Sequence, residues 1–301
     1  MSEVAVVIGN YQGERLLPDC LASLELQTLK PREVIVVDAG SSDRSVEVAE
    51  RFEARVLRRE NRGLGYLYNE GARAGSADLV LLLNNDVALD ERCLELLAAA
   101  LAADSSLFAA DPRQVDWEAR RDVKARTTLA RGRLIREYIP SLHLDDCVPS
   151  AEIAPTVSAH GAAMLVRREL LLELGGFDET FFMEWEDLDL CWRAWLRGRG
   201  SVYVPDAWLR HRVGGATSAA DLTRRHSSSH HNLMRFALKC LPAGTAARVF
   251  AGELLRLPVH PRLITPALVA VVRELPKILR LRRRIGPSQT HLNWLLAGMP
   301  Q

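Results

Sequence analysis

VAVVIGNYQGERLLPDCLASLELQTLKPREVIVVDAGSSD, residues 4–43, contains two short predicted strands, 4–8 and 33–37, which are apolar except for Glu33 and lie on either side of a segment with helical spacing. Neither run alternates with polar residues, which is typical of strands buried on both faces of a parallel sheet. In the segment between them, 16–27, Pro18 is acceptable because it falls in the first helical turn. The stretch therefore predicts a β-α-β unit.

The same alternation continues toward the C-terminus. The predicted elements are, in order, a helix from the polar turn at 38–43 to about residue 52, a strand at 54–57, a helix at 64–74, a strand at 79–83, and a helix at 91–103 with Asp90 as its N-cap. Strands that alternate with helices in this way predict an α/β fold, in which a mostly parallel sheet has helices on both faces.

The second half of the chain departs from this alternation. Residues 113–136 are rich in charge and predict a helix, 138–155 predict a loop, and we interpret 113–157 as an insertion. Later predicted elements are strands at 162–166 and 201–204 and helices at 168–174 and 188–196. We expect an α/β domain at 1–220 and a helical C-terminal extension at 221–301.

The composition is that of an ordinary globular protein. Of 301 residues, 48% are hydrophobic and 26% charged, which excludes a disordered or collagen-like chain. Lys and Arg number 39 against 38 Asp and Glu, so a net charge of +1 argues against a nucleic-acid partner. The five cysteines are widely spaced and predict free thiols in a reducing compartment. Since the sequence shows no secretory signal and no apolar run near about 20 residues, we expect a cytoplasmic protein.

Polar and acidic residues follow the predicted strands at the point where each one ends. They are Gly9 and Asn10 after the first strand, Asp38 and Asp43 after the second, and Asn84, Asn85 and Asp86 after the fourth. In open α/β sheets, ligands bind beyond the carboxyl ends of the strands. Asp38 could accept hydrogen bonds from a base or a ribose, and Asp86 could bind Mg²⁺ on a substrate phosphate. A turn or a helix cap is the alternative for each acid.

The phosphate-binding loops that depend on glycine are missing from the sequence. It contains no G-x-x-x-x-G-K-[ST] motif, and residues 9–13 do not supply G-x-G-x-x-G. If the protein binds phosphate, the sequence therefore suggests that a metal holds it.

A second polar group lies among the large aromatic residues of 181–193. Acids occupy positions 184, 186, 187 and 189, and crowding of like charges in a partly apolar site suits a general base. The alternative is a helix N-terminus whose acids interact with the macrodipole. His211, after the 201–204 strand, is a possible metal ligand, whereas we attribute the His226–His231 tract to a polar helix start.

Taken together, these residues resemble the inverting family 2 glycosyltransferases of GT-A fold, in particular the bacterial rhamnosyltransferase-like branch. The resemblance runs from about Val4 to Leu241. Its marks, in chain order, are VVIGNYQGERLLPDCLASLELQT, VIVVDAGSSDRS, NRGLGYLYNEGA, LLLNNDV, GAAMLVRRELLLELGGFDETFFMEWEDLDLCWRA, VYVPDAWLRHRVGG and NLMRFALK.

The resemblance implies a role for each matching residue. Asp187 would be the catalytic base, with Glu186 beside it, and Glu184 and Trp185 would line the acceptor pocket. Asp86 and His211 would hold the metal. The nucleotide-sugar would contact Gly9, Asn10, Asp38, Asp43, Asn61, Asn84 and Asn85. Two positions depart from the family pattern: Asn84 replaces the first acid of the D-x-D-type motif, and Gly9 stands where many relatives carry proline.

The implied reaction transfers a sugar from a nucleotide-diphosphate sugar, a UDP or dTDP sugar above all, to a hydroxyl of a glycan or lipid-linked acceptor. Mg²⁺ or Mn²⁺ would be the cofactor, and the 113–157 insertion would face the acceptor. One alternative is a sugar nucleotidyltransferase, although residues 9–13 lack the basic residues that its loop would need. The other is a non-catalytic subunit that binds glycan.

The C-terminal extension mixes apolar helical spacing with basic residues. Its basic stretch ends at Arg280-Leu281-Arg282-Arg283-Arg284. Basic residues near an anionic lipid surface contribute about 1 kcal/mol each. The extension could therefore make peripheral contact with the inner face of the plasma membrane, and a solvated basic helix end is the alternative.

Overall fold

The computed structural model describes residues 2–130, 143–212 and 219–286, without the side chains of 129–130, 143–147 and 219–227. The strands are β1 (Val4–Asn10), β2 (Glu33–Asp38), β3 (Arg55–Arg58), β4 (Leu79–Asn84), β5 (Val87–Leu89), β6 (Ala109–Asp116), β7 (Asp122–Lys124), β8 (Arg126–Ala130), β9 (His143–Val148), β10 (Ala154–Thr156), β11 (Ala163–Arg167) and β12 (Ser201–His211). The helices are α1 (Leu17–Glu25), α2 (Ser45–Arg51), α3 (Leu64–Ala74), α4 (Cys93–Ala103), α5 (Arg168–Glu173), α6 (Glu186–Trp195), α7 (Ala219–Cys240), α8 (Ala243–Arg256) and α9 (Pro261–Ile285).

The described strands form a 10-stranded mixed sheet and a separate β8–β9 pair. The main order is β10-β12-β6-β11-β4-β1-β2-β3. Strands β4, β1, β2 and β3 are mutually parallel, whereas β11 runs antiparallel to both β4 and β6. The predicted α/β fold is confirmed. The parallel half brings the carboxyl ends of β1, β2 and β4 to one edge, where Asn10 pairs with Asp38 and Gly9 with Asn84.

Helices cover both faces of the sheet because the parallel strands are apolar on both sides. In β1, Val6 and Ile8 join the core beneath α1 and α4, whereas Ala5 and Val7 join the core beneath α3 and α6. All four of these side chains are completely buried. The unbroken apolar run in the sequence is therefore explained by burial on two faces.

The helix predicted at 113–136 is wrong in its described part, 113–130, and the loop predicted at 138–155 is wrong in its described part, 143–155, while residues 131–142 lie outside the described residues. Strand β6 continues to Asp116, β7 and β8 follow it, and the later segment holds β9 and the start of β10. The charges that suggest the surface of a helix instead pair between strands, since Arg113 Nε lies 2.6 Å from Asp122 Oδ1 across the β6–β7 pair. Long-range pairing of β6 with β12 overrides the local pattern.

Two predicted boundaries also move. The strand predicted at 201–204 extends to His211, because an irregularity between Val204 and Trp208 accommodates Pro205 and pairing with β6 then resumes. Helix α4 begins at Cys93 with Arg92 at the N-cap position, so Asp90 is not its N-cap. Asp90 instead accepts a hydrogen bond from the Arg92 backbone at 3.2 Å, in the turn that precedes the helix.

The helical C-terminal extension is present, and its first helix packs into the rest of the protein. Leu233, Phe236 and Ala237 of α7 share a buried cluster with Leu188 and Trp192 of α6. Helix α9 packs along a second face of α7, where Met234 shares a buried cluster with Ala267, Val271 and Ile278. Among the described residues, no helix combines the length and the apolar character that crossing a bilayer requires.

Candidate active site

Three amide and carboxylate side chains join the ends of β1, β2 and β4 into one buried network. Asn10 Nδ2 donates to Asp38 Oδ2 at 2.8 Å, and Asn85 Nδ2 donates to Asn10 Oδ1 at 2.7 Å. Gly13 lies against this network, because a Cβ at that position would come within 2.0 Å of Asn10 Oδ1. The chain can turn from β1 into α1 here only without a side chain. Gly9 is similarly confined, since a Cβ there would lie 2.5 Å from Leu64 Cδ1.

The Asp38 carboxylate shapes the loop between β2 and α2. It accepts the backbone N–H groups of Gly40 at 3.1 Å and Ser41 at 2.9 Å, and the Ser41 hydroxyl at 2.6 Å. With the Asn10 amide, these donors engage both carboxylate oxygens of a buried side chain. Asp38 therefore fixes the loop, and its predicted contact with a base or ribose stays a prediction.

Asp43 ties the loop after β2 to the loop after β1. It accepts the backbone N–H of Glu14 at 3.0 Å, and the backbone N–H of Ser45, also at 3.0 Å, as well as the Ser45 hydroxyl. Burial raises the pKa of this carboxyl, but the hydrogen bonds from Ser45 and Glu14 outweigh burial and lower the pKa overall. Asp43 thus holds the two loops together as a carboxylate, and its predicted contact with the nucleotide-sugar stays a prediction. Asn61, by contrast, is exposed just before α3.

The Tyr68 hydroxyl is buried near the predicted acidic site residues. It is 2.9 Å from both Asn84 Oδ1 and the Gly161 carbonyl oxygen. Burial raises the pKa of Tyr68 well above its usual value, and the negative charges of Glu186, Asp86 and Asp187 raise it further. Since all three carboxylates act on one buried hydroxyl, the structure brings the predicted metal ligand and the predicted base to the same end of the sheet.

Asp86 and His211 come together although they are 125 positions apart in the sequence. Asp86 Oδ1 is buried, has no hydrogen-bond partner among the described residues, and lies 3.5 Å from His211 Nε2. His211 Nδ1 is 3.0 Å from Gln114 Oε1. In the neutral tautomer that carries its hydrogen on Nδ1, the Nε2 lone pair faces the Asp86 carboxylate, and a divalent cation would stabilise this arrangement of two acceptors.

Asp187 is held at the start of α6 by two backbone hydrogen bonds. Gly161 N donates to Asp187 Oδ2 at 2.9 Å, and Leu188 N donates to Asp187 Oδ1 at 2.7 Å. Gly161 is also the residue whose carbonyl lies against Tyr68. A short chain of contacts thus leads from Asp187 through Gly161 and Tyr68 to Asn84, two residues before Asp86.

The predicted acceptor-binding residues Glu184 and Trp185 contact α7. The Ser229 hydroxyl donates to Glu184 Oε2 at 3.0 Å, and the Trp185 ring centroid is 5.5 Å from that of Phe236. Glu186 is buried beside Asp187. The roles of these three residues remain predictions.

The polar residues of NLMRFALK have structural roles that the sequence analysis missed. Asn232 donates to the Met183 and Glu184 carbonyls, while Arg235 and Lys239 pair with the Asp178 carboxylate. The available signal was their spacing, because positions 232, 235 and 239 place three polar side chains on one face of an otherwise apolar helix. Tyr68 and Gln114, which we also missed, have no comparable signal.

The His226–His231 tract shows no metal site in its described part. His230 Nδ1 lies 2.6 Å from Glu253 Oε2, and His231 Nε2 lies 3.3 Å from Glu274 Oε2. Across the described ranges, no set of three or more His, Cys, Asp or Glu side chains converges to bind a metal. The His226 side chain lies outside the described residues.

The sheet, the order of its strands and the polar loops at their carboxyl ends are those of a GT-A fold. Residues 5–174 match the model of Glycosyl transferase family 2, and the chain belongs to that family. The resemblance predicted from the sequence is therefore confirmed, and the nucleotidyltransferase alternative is not supported.

Relatives and solved structures agree with this assignment. The chain is 28% identical over 257 residues to the N-acetylglucosaminyl-diphospho-decaprenol L-rhamnosyltransferase of Mycobacterium tuberculosis (strain CDC 1551 / Oshkosh), a match that covers 76% of this chain and 84% of that protein. The mannosyltransferase PcManGT from Pyrobaculum calidifontis, solved with GDP-Man and Mn²⁺, superposes with a TM-score of 0.57 at 18% identity over 98% of this chain and 83% of its own. GalNAc-T7, solved with UDP, GalNAc and Mn²⁺, gives a TM-score of 0.61 at 16% identity over 79% of this chain and 48% of its own. At these identities the solved structures show the shared fold.

Proposed function

We propose that the protein is an inverting glycosyltransferase that moves a sugar from a nucleoside-diphosphate sugar to a hydroxyl of a lipid-linked or glycan acceptor. The observation that carries the proposal is the chain of contacts from Asp187 through Gly161 and Tyr68 to Asn84, two residues before Asp86. Asp86 lies beside the His211 imidazole, and Asp187 is held by two backbone N–H groups. The environment of Asp86 suits donor binding, and the environment of Asp187 suits proton transfer.

The proposed reaction is a single displacement with Asp187 as the base. Asp187 accepts the proton of the acceptor hydroxyl while the hydroxyl oxygen forms a bond to the anomeric carbon. The bond from that carbon to the nucleoside diphosphate breaks on the opposite side, so the configuration inverts and the diphosphate leaves with the electron pair. The hydrogen bonds from Gly161 and Leu188 keep the carboxylate oriented for this transfer.

Asp86 and His211 fit a divalent cation. The buried Oδ1 of Asp86 lacks a hydrogen-bond partner among the described residues, and Gln114 Oε1 lies 3.0 Å from His211 Nδ1, so that Nε2 is the ring nitrogen nearest Asp86. Oxygen ligands suit Mg²⁺, and the imidazole also suits Mn²⁺. A bound cation would stabilise the charge that develops on the leaving diphosphate. Because two side chains form an incomplete set, phosphate oxygens and water would supply the other ligands.

The names of relatives suggest the substrate classes. The mycobacterial relative is an L-rhamnosyltransferase whose acceptor carries a decaprenol lipid, and the solved neighbours bind UDP or GDP-Man. We infer that this chain takes a UDP, dTDP or GDP sugar and a lipid-linked acceptor.

The function is tested by offering the purified protein a panel of UDP, dTDP and GDP sugars with Mn²⁺. We expect at least one donor to raise the melting temperature and to release free nucleoside diphosphate slowly, with water as the acceptor. A protein that binds glycan but neither binds nor hydrolyses any donor of the panel would instead be the non-catalytic subunit.

Replacing Asp86 by asparagine is expected to weaken Mn²⁺-dependent donor binding at least about tenfold, because even outer-shell changes at metal sites cost about 10–100-fold. Isothermal titration of the donor with and without Mn²⁺ measures the effect. The control is Asp206→Asn, which alters an exposed acid of β12. Donor affinity that is the same in Asp86→Asn and in the wild type would remove Asp86 from the metal site.

We further propose that α9 docks on anionic lipid. Its exposed basic residues Arg273, Lys277, Arg280 and Arg284 follow one another at three- and four-residue intervals, which places them on one face. Exposed apolar side chains on the same helix include Val269 at 43% and Val272 at 66% exposure, and Leu255 of α8 and Val259, which precedes α9, are exposed as well. Basic and apolar residues side by side are typical of helices that lie in the membrane interface.

In a flotation assay, the protein is expected to bind phosphatidylglycerol-containing vesicles at low salt and to dissociate at high salt. Pure phosphatidylcholine vesicles are the control. The double variant Arg280→Glu, Arg284→Glu should lose binding while its donor hydrolysis stays at the wild-type rate. Equal binding to both kinds of vesicle would contradict the electrostatic part of the proposal.

A further inference from the structure

We propose that Asn232 of α7 is a positioning residue for the catalytic base, and that this helix, although it lies beyond the family match, is part of the active site. The inference rests on the proposed function, in which Asp187 is the base. Its starting point is the backbone just before α6, where Glu184 has φ 64° and Trp185 has φ 73°.

Two consecutive left-handed residues that are not glycine form a strained bend. This conformation costs an ordinary L-residue roughly 1–2 kcal/mol, and it persists only where the surrounding structure enforces it. The bend ends one residue before Glu186, the first residue of α6, and it sets the direction in which the helix begins. Asp187 is two residues beyond the bend, so the bend determines where its carboxylate lies relative to Gly161.

The Asn232 side chain holds this bend directly. Its Nδ2 donates to the carbonyl oxygens of Met183 at 2.8 Å and Glu184 at 3.0 Å, and the residue is 1% exposed. An amide nitrogen has two hydrogens, so both are engaged. Because both carbonyls can only accept, the amide nitrogen must face them, and Asn232 Oδ1 then lies 3.0 Å from His231 Nδ1. Ser229, one turn earlier in α7, binds the Glu184 side chain.

The helix that carries Asn232 is itself anchored from both sides. Glu274 of α9 accepts from Arg235 Nη1 at 2.6 Å and lies 3.3 Å from His231 Nε2. On the other side, Arg235 and Lys239 pair with Asp178, which precedes the bend. The bend is therefore held by a rigid helix that is fixed to neighbours before and after it.

Loss of the Asn232 amide would remove a donor from both carbonyls and allow the bend to relax. The donor-binding loops would not change, because the network of Asn10, Asp38 and Asn85 belongs to β1, β2 and β4. Turnover should fall while donor binding stays the same. A small misplacement of a catalytic group lowers the rate about 100-fold.

The experiment compares Asn232→Ala with Met234→Ala, using the hydrolysis of the most active donor of the panel. Met234 is fully buried on the same helix and packs on α9, and no hydrogen bond between its side chain and residues 183–185 is present in the described structure. For Asn232→Ala we expect kcat to fall about 10–100-fold, with KM and the calorimetric Kd of the donor within twofold of wild type. Met234→Ala should lower the melting temperature and keep the wild-type kcat.

Wild-type kcat in folded Asn232→Ala would overturn the inference, because the hydrogen bonds from Asn232 would then not affect turnover. An equal loss of kcat in Met234→Ala would also overturn it, because any damage to the packing of α7 would then lower turnover. If Asn232→Ala fails to fold, Ser229→Ala decides: a reduced kcat at unchanged donor Kd supports the role of α7, and an unchanged kcat overturns it. A wild-type protein that neither binds nor hydrolyses any donor would overturn the proposed function itself and remove the basis of this inference.

Discussion

Asp187→Asn is expected to lower turnover about 10²–10⁴-fold, the contribution that general-base catalysis typically makes. Asparagine has nearly the shape of aspartate but cannot accept the acceptor's proton. One of the two backbone hydrogen bonds, from Gly161 or Leu188, is kept by the amide oxygen. The donor Kd should remain close to the wild-type value, since the loss is confined to the transition state. Donor hydrolysis and calorimetry on the same preparation measure the two quantities.

The matched control is Glu169→Gln, because Glu169 is an exposed acid in the first turn of α5. It tests the alternative that Asp187 only provides a favourable charge at the N-terminus of a helix. If the alternative holds, both variants will show slightly reduced stability and normal turnover. Normal turnover in Asp187→Asn would remove Asp187 from the base role.

Asp178→Ala is expected to destabilise the fold by about 3–5 kcal/mol, the usual cost of removing one partner from a buried ion network. Asp178 Oδ2 lies 2.8 Å from Arg235 Nη2 and 2.5 Å from Lys239 Nζ. Lys239 also reaches Asp189 Oδ1 at 2.7 Å, and Arg193 binds Asp189 at 2.9 Å. Since Arg235 and Lys239 are 0% and 1% exposed, removal of Asp178 leaves buried positive charge without its main partner.

Urea unfolding of the wild type and of Asp178→Ala measures this free energy. The control is Glu95→Ala, which removes an exposed ion pair with Arg92 and should leave the free energy of unfolding nearly unchanged. If Asp178→Ala unfolds at the same urea concentration as Glu95→Ala, the network contributes nothing measurable to stability.

The same network predicts a pH dependence. Burial raises the pKa of Asp178, but the charges of Lys239 and Arg235 outweigh burial and hold the pKa far below its usual range. In the unfolded chain an aspartate has a pKa of about 3.9. A pKa that is depressed in the folded state stabilises the protein above the unfolded value and loses this effect as the pH falls. The stability difference between the wild type and Asp178→Asn should therefore shrink from about pH 5 downward, and a constant difference would contradict the assignment.

Much of the fold follows from short stretches of sequence. The mainly apolar runs at 4–8, 33–37 and 79–83 are strands because only burial on two faces accounts for them. Asp38 and Asp86 lie where two of these strands end. Because the carboxyl ends of parallel strands meet at one edge of the sheet, the sequence also predicts that edge as the position of both acids. The charged segment after residue 112 has no such pattern, so the sequence could not show that Arg113 faces Asp122 on a neighbouring strand.

The sequence by itself determined the class of fold, the family and the position of the acids, because these depend on local periodicity and on motifs of a few residues. Only the tertiary structure decided which side chains support those acids. Gln114 meets His211 across 97 positions, Asn232 meets Met183 across 49, and Tyr68 meets Gly161 across 93. A local pattern records whether a side chain is buried, whereas the identity of its partner depends on how distant segments pack, and packing is a property of the whole chain.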